Sequence, residues 1–333
     1  FIRNGGSVLE NTGPAQALDL FVGDIAGGGD GSVNLDGADF SAANRLAVAA
    51  GEVDRLTMGS RTVTASFRIA DTATLETGAG LELGRLGSVA EAGSNLQGNL
   101  ESVAAAELSG VAAVTVGGKL ALGVLAAETA AGGSQAASYR SGASATMSGI
   151  DSLAVSGELD IGVVAATEEV AGSDTSSYSA SGAVTLEAVT ASIGSVARIG
   201  AIDAAAGSGS GGPVTQAGIE ANGDLLLRSS ALTSQGIQLG VVANNQGGSA
   251  RGRLVLNPSH INTNSLESGV SGELVFNVEG VVRASASNLS DAGLYSAIDA
   301  NTATLAGPVV VDFQFVPEPG SYDFDLIRAT TVT

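Results

Sequence analysis

Apolar and polar residues alternate in short bursts along much of this chain, and glycine closes the bursts. Leu81-Glu82-Leu83-Gly84 is followed by Leu120-Ala121-Leu122-Gly123, Leu159-Asp160-Ile161-Gly162, a degenerate Ala197-Arg198-Ile199-Gly200 and Ile237-Gln238-Leu239-Gly240. The closing glycines stand 39, 39, 38 and 40 residues apart. A period of two marks a strand with one buried face. Recurrence at a fixed spacing of this size marks a repeat architecture.

The match extends beyond the tetrads. One repeat apart, Ala126-Ala127 maps on Ala165-Ala166, Gly133-Ser134 on Gly172-Ser173, Ser138-Tyr139 on Ser177-Tyr178 and Thr146 on Thr185. Val116-Gly117-Gly118-Lys119 leads into Leu120 as Val155-Ser156-Gly157-Glu158 leads into Leu159. Each unit reads as three strands of about 8–10 residues with turns. One such unit has too little apolar surface to stand alone, so units stack and share a continuous core. Two all-β arrangements fit: first a parallel β-solenoid with about one 39-residue coil per unit, second an antiparallel meander of hairpins. In the solenoid, Tyr139 and Tyr178 fall one above the other along one face, as a cross-coil pair or, alternatively, as an intersubunit contact.

The period sets the organisation. Residues 46–274 form the repeat array, 1–45 an N-terminal cap or donated-strand segment, and 275–333 C-terminal strands or a cap. Ala17 to Val22 reads as a strand available for donation to a second copy. Val311, Phe313 and Phe315 alternate with polar residues, as do Tyr322, Phe324 and Leu326, with a turn at Pro317-Glu318-Pro319-Gly320. That pattern predicts a hairpin.

Composition narrows the core and the partners. Apolar residues are 44% of 333, aromatic residues only 4%, and Trp is absent. Val, Leu, Ile and Ala must therefore fill thin, regular layers. The 48 glycines are roughly twice the usual share and disfavour helices. The formal net charge of −20 repels phosphate backbones, so no nucleic-acid partner is expected. Without cysteine there is no thiol chemistry. No run of about 18 apolar residues exists to span a membrane as a helix. A first residue Phe1 rather than Met is read as a processed chain or a fragment.

The segment Gly320-Ser321-Tyr322-Asp323-Phe324-Asp325-Leu326-Ile327 resembles the G-x-[YF]-x-[FL]-x-L-I strand near the end of autotransporter passengers. The Gly/Ala/Val-rich repeats of residues 81–333 are similar in texture to those passengers and to filamentous-haemagglutinin-type proteins. The resemblance implies a secreted bacterial surface protein with an adhesive or filament-forming role.

Catalytic chemistry finds little support. The single histidine, His260, lies in a turn-like Asn257-Pro258-Ser259-His260 and reads as a structural or solvated residue. No nucleophile elbow, zinc motif or phosphate loop accompanies it. The one metal candidate is calcium, which takes closely spaced carboxylate and carbonyl oxygens. Asp24, Asp30, Asp36 and Asp39 in a glycine-rich stretch offer them, against the plainer reading of an acidic turn. Glu168-Glu169 and Asp323/Asp325 read as solvated faces. Asn288-Leu289-Ser290 fits a glycosylation pattern by chance.

These features predict a non-enzymatic, extracellular structural protein, the subunit of a surface filament or sheath or the shaft of an adhesin. Self-association into a homopolymer is the expected partnership, with a surface polysaccharide or host receptor as further partners. The alternatives are a carbohydrate-active β-helix enzyme and a calcium-dependent surface-layer or binding module.

Overall fold

The computed structural model describes residues 15–17, 19–23, 29–37, 39–54, 60–72, 74–90, 97–129, 136–165, 167–168, 177–203, 205–206, 219–243, 248–278, 295–314 and 325–333. The described elements are all strands. The described residues open with β1 (Ala15–Ala17) and β2 (Leu20–Val22). A first full coil follows as β3 (Gly31–Asp36), β4 (Phe40–Ala42), β5 (Arg45–Val48) and β6 (Gly51–Asp54). The next has β7 (Arg61–Ala70), β8 (Thr74–Thr77), β9 (Gly80–Leu83) and β10 (Leu86–Ala90). The third has β11 (Gln97–Ser109), β12 (Ala113–Val116), β13 (Lys119–Leu122) and β14 (Leu125–Thr129). In the two after that, long and second strands run together. They are β15 (Ala136–Val155), β16 (Leu159–Ile161) and β17 (Thr167–Glu168), then β18 (Ser177–Ile193), β19 (Val196–Ile199) and β20 (Ala205–Ala206). The remaining coils are β21 (Ile219–Arg228) with β22 (Ala231–Leu239), β23 (Ser249–Asn257) with β24 (His260–Ser268), β25 (Gly272–Val278) with β26 (Ala297–Leu305), and β27 (Val309–Phe313) with β28 (Ile327–Val332).

Each strand pairs in parallel with its counterpart one coil away. The long ladder runs from β3 through β7, β11, β15, β18, β21, β23 and β25 to β27. A second runs from β1 through β4, β8 and β12 into β15, β18, β22, β24, β26 and β28. The third starts at β2 and carries the Leu-x-Leu-Gly tetrads. A separate sheet stacks β6, β10, β14, β17 and β20. Consecutive strands connected in space by antiparallel hairpins would define a meander, and every described pairing is parallel. The fold is the β-solenoid. Stacked residues are 39 apart at Ser60/Asn99, 38 at Asp160/Arg198 and 41 at Val189/Ser230. The spacing is 34 at Asn34/Arg68 and 29 at Ser230/Ser259, because the lengths between ladders change while the ladders themselves continue.

The coil plan differs from three strands of similar length. One long strand of 13 residues in β11 is followed by strands of four, four and five in β12, β13 and β14. The tetrad stays short because its closing glycine turns the chain. Gly84, Gly123, Gly162, Gly200 and Gly240 have φ of +59°, +60°, +62°, +59° and +57°, a region in which other L-residues are strained.

Those corner glycines also meet the long ladder. A Cβ on Gly123, Gly162 or Gly200 would collide with the backbone carbonyl of Ser181, Asn222 or Arg251. On the facing strands Gly182, Gly223, Gly252 and Gly272 stack in register. Their own Cβ positions are occupied by backbone of the corner column. Two glycine columns thus press main chain against main chain, forming a waist in each coil. Elsewhere the interior is mostly aliphatic, with Phe40, Phe67 and Phe276 buried in it. In β18, burial alternates almost residue by residue over Ser177–Ile193. Tyr139 and Tyr178, both 1% exposed, stack with centroids 5.2 Å apart and planes 5° from parallel. The predicted cross-coil pair is therefore an interior one.

At the start, the stretch Ala17 to Val22 is divided between β1 and β2, which lie on β4 and β5 of their own chain. At the other end, β27 and β28 each continue a ladder, on β25 and β26. They add a further coil, and the second strand of the expected hairpin, Tyr322 to Leu326, lies mostly outside the described residues. Phe315, Tyr322, Phe324 and the Pro317–Gly320 turn lie outside the described residues. Val309, Val310, Val311, Phe313 and Val332 on this last coil are exposed. No helix among the described residues is long and apolar enough to cross a membrane.

Candidate functional site

Three polar groupings interrupt the aliphatic plan. The first is the acidic stretch singled out for calcium. Asp24 lies outside the described residues, and Asp36 ends β3 with its side chain outside them. Asp30 Oδ1 accepts the Thr64 N–H at 2.8 Å, and Asp39 Oδ1 accepts the Thr74 N–H at 2.9 Å. Both described carboxylates thus tie down the backbone of the next coil. Among the described residues no group of three or more His, Cys, Asp or Glu side chains is gathered to hold a metal ion. Of the other acidic pairs, Asp325 is exposed, whereas Glu169, Asp323 and the Glu168 side chain lie outside the description.

The second grouping lies on the tetrad ladder and was not singled out from the sequence. Asp160 stands between Ala121 and Arg198 in register, and its side chain is 1% exposed. Arg198 embraces it with Nε–Oδ1 at 2.7 Å and Nη2–Oδ2 at 2.9 Å. Lys119 Nζ reaches Asp160 at 2.9 Å and Glu158 at 2.6 Å. Arg198 also pairs with Glu158 and Asp203 at 2.9 and 2.7 Å. The signal was present as opposite charges one repeat apart: Lys119 maps on Glu158, and Asp160 on Arg198. Burial pulls the Lys119 ammonium toward its neutral form, but the Asp160 charge and bonds to Glu158 and Asp160 outweigh it, and its pKa is raised above 10.5. Arg198 is also raised, despite desolvation, by its bonds to and the charge of Asp160.

A pH dependence follows for Lys119. Its folded pKa lies above the ordinary value of 10.5. The stabilisation is therefore complete below 10.5 and is lost as pH climbs through the folded value. The difference in urea midpoint between the protein and Lys119→Met is expected to be constant near neutrality and to shrink above pH 10.5. A difference unchanged there would show that the ammonium charge contributes nothing.

The third grouping is a groove of about 750 Å³ where the long ladder turns into the second. Beneath it runs a column of buried serines. The Val189 N–H donates to Ser230 Oγ at 3.1 Å, the Ser230 N–H to Ser259 Oγ at 3.1 Å, and the Ser259 N–H to Ser296 Oγ at 2.9 Å. Above it, His260 Nε2 lies 3.1 Å from Asp299 Oδ2. Arg328 clasps the same carboxylate, with Nε–Oδ1 at 2.6 Å and Nη2–Oδ2 at 2.9 Å. The residues come from β24, β26 and β28, three successive coils, so stacking alone brings them together. His260, read from the sequence as a structural or solvated residue, is half-exposed and engaged with a carboxylate here.

Comparisons of this chain with family models, curated proteins and solved structures gave no match.

Proposed function

We propose that the chain is a non-enzymatic, extracellular structural element, a subunit of a surface filament or sheath or the shaft of an adhesin. The observation that carries this reading is the unbroken parallel stack from β1 to β28. Each added coil extends such a stack by about 4.8 Å through hydrogen bonds of the same kind, so the architecture grows by addition. The exposed Val309, Val310, Val311, Phe313 and Val332 present an apolar sheet edge of the sort that templates further β-pairing. A further coil would cover them, from whichever chain it came.

The test combines negative-stain electron microscopy of the purified chain with antibody labelling of intact producing cells. End-to-end assemblies with surface labelling support the filament, and single particles with surface labelling support the shaft. Label confined to the cell interior overturns the proposal.

A further inference from the structure

We infer that the groove around His260, Asp299 and Arg328 is a binding site for a neutral, hydroxyl-rich ligand, an oligosaccharide. The inference goes beyond a structural role, since a shaft with a ligand and one without have the same coils.

The argument starts from charge. Asp299 already faces Arg328 through both oxygens and His260 through one. It therefore holds no uncompensated charge for a cation, and the described residues contain no metal-ligating group of three. Anions approach a chain of formal net charge −20 against long-range repulsion. What remains is hydrogen bonding without net charge. The carboxylate keeps unused lone pairs, and the guanidinium keeps N–H groups beyond the two bonds it makes, so donors and acceptors stand side by side. Neighbouring hydroxyls of a sugar ring present the matching pattern.

The surroundings fit the same ligand. Tyr295, Pro258 and Thr190 also line the groove, supplying ring surface for the C–H face of a sugar and a further hydroxyl. The volume is within the range of ligand clefts, about 300–1,000 Å³. Beside it an amide ladder crosses three coils. Asn264 Nδ2 donates to Gln235 Oε1 at 2.6 Å, and Asn301 Nδ2 to Asn264 Oδ1 at 3.3 Å. Uncharged donors and acceptors therefore continue from the groove along β24 and β26, the direction in which a chain of sugar units would extend. The serine column fixes the backbone beneath, and His260, Asp299 and Arg328 stand on strands, with Pro258 and Tyr295 at the corners that lead into them.

The experiment titrates the full chain with maltohexaose, cellohexaose, mannohexaose and chitohexaose, and with hexagalacturonate as the charged control, by calorimetry. At least one neutral hexasaccharide is expected to bind, with hexagalacturonate weaker. Asp299→Ala and Tyr295→Ala are each expected to weaken that binding by about tenfold or more. The Asp299 pairs are partly exposed and contribute little to folding, so thermal melting of both variants checks that the fold is kept. Arg328→Gln, which retains a donor, provides a further variant should one of them unfold. The inference is overturned by no binding of any neutral hexasaccharide, by binding that folded variants leave unchanged, or by preference for hexagalacturonate.

Discussion

Gly162→Ala is expected to lower stability by about 3 kcal/mol or more, read as a large fall in the urea midpoint. Two separate terms add at this position. The φ of +62° costs a residue with a Cβ about 1–2 kcal/mol. The new methyl also collides with the Asn222 carbonyl across the waist, and overpacking against backbone costs about 1–3 kcal/mol. Two further variants separate the terms. Gly149 has φ of +58°, but a Cβ there would meet nothing closer than 3.8 Å, so Gly149→Ala isolates the torsion. Gly182 lacks the positive φ, yet its Cβ position is filled by the Gly162 amide and the Leu122 carbonyl, so Gly182→Ala isolates the collision. The expected order of destabilisation is Gly162, then Gly182, then Gly149. A Gly162→Ala midpoint no lower than that of Gly149→Ala would mean that the two backbones do not touch at the waist.

That waist marks the limit of what the pattern of residues revealed. The period, the strand character and the Tyr139/Tyr178 stack were legible because side-chain alternation and repeat spacing report directly on stacking. The corner glycines were visible as punctuation, but their reason was not. A glycine required by a facing backbone looks the same in sequence as one required by a turn, and the facing column of Gly182, Gly223, Gly252 and Gly272 belongs to segments whose spacing departs from 39. Long and short strands were likewise merged into an average, because hydrophobic alternation continues across a corner that only torsion angles reveal. β28 lay outside the repeat for a related reason. A ladder is preserved by backbone hydrogen bonds, which place few demands on side chains, so coils of unequal length stack without leaving a period.

Polar groupings were less legible still. Asp30 and Asp39 carry the composition of a calcium loop, yet their described bonds are to Thr64 and Thr74 backbone, a role that any acidic residue at a coil edge fills. The Asp160 network required reading charges across repeats rather than along the chain. His260 and Asp299 stand 39 residues apart, the tetrad spacing, but Asp299 and Arg328 stand 29 apart, so no single offset joins all three.

The Asp160 network has a second large consequence. Asp160→Ala is expected to cost about 3–5 kcal/mol, since removing one partner of a buried pair leaves the other uncompensated. Arg198 would keep Glu158 and Asp203, which places the loss toward the lower end. The chain itself offers the compensating change, because Ala121 and Gln238 occupy the equivalent positions in the coils on either side. Asp160→Ala combined with Arg198→Gln removes the stranded guanidinium and sets an amide beside that of Gln238. The double variant is expected to be more stable than Asp160→Ala alone, with a coupling of about 1–2 kcal/mol between the two sites. Urea denaturation of the four members of this cycle measures it. Additive losses would show that Asp160 and Arg198 act independently. Recovery would instead show that the two charges act as a coupled pair, and opposite charges on adjacent coils are then available to favour the native stacking over a slip that set Asp160 beneath another residue. An all-aliphatic ladder lacks that discrimination, because its successive coils present nearly identical faces.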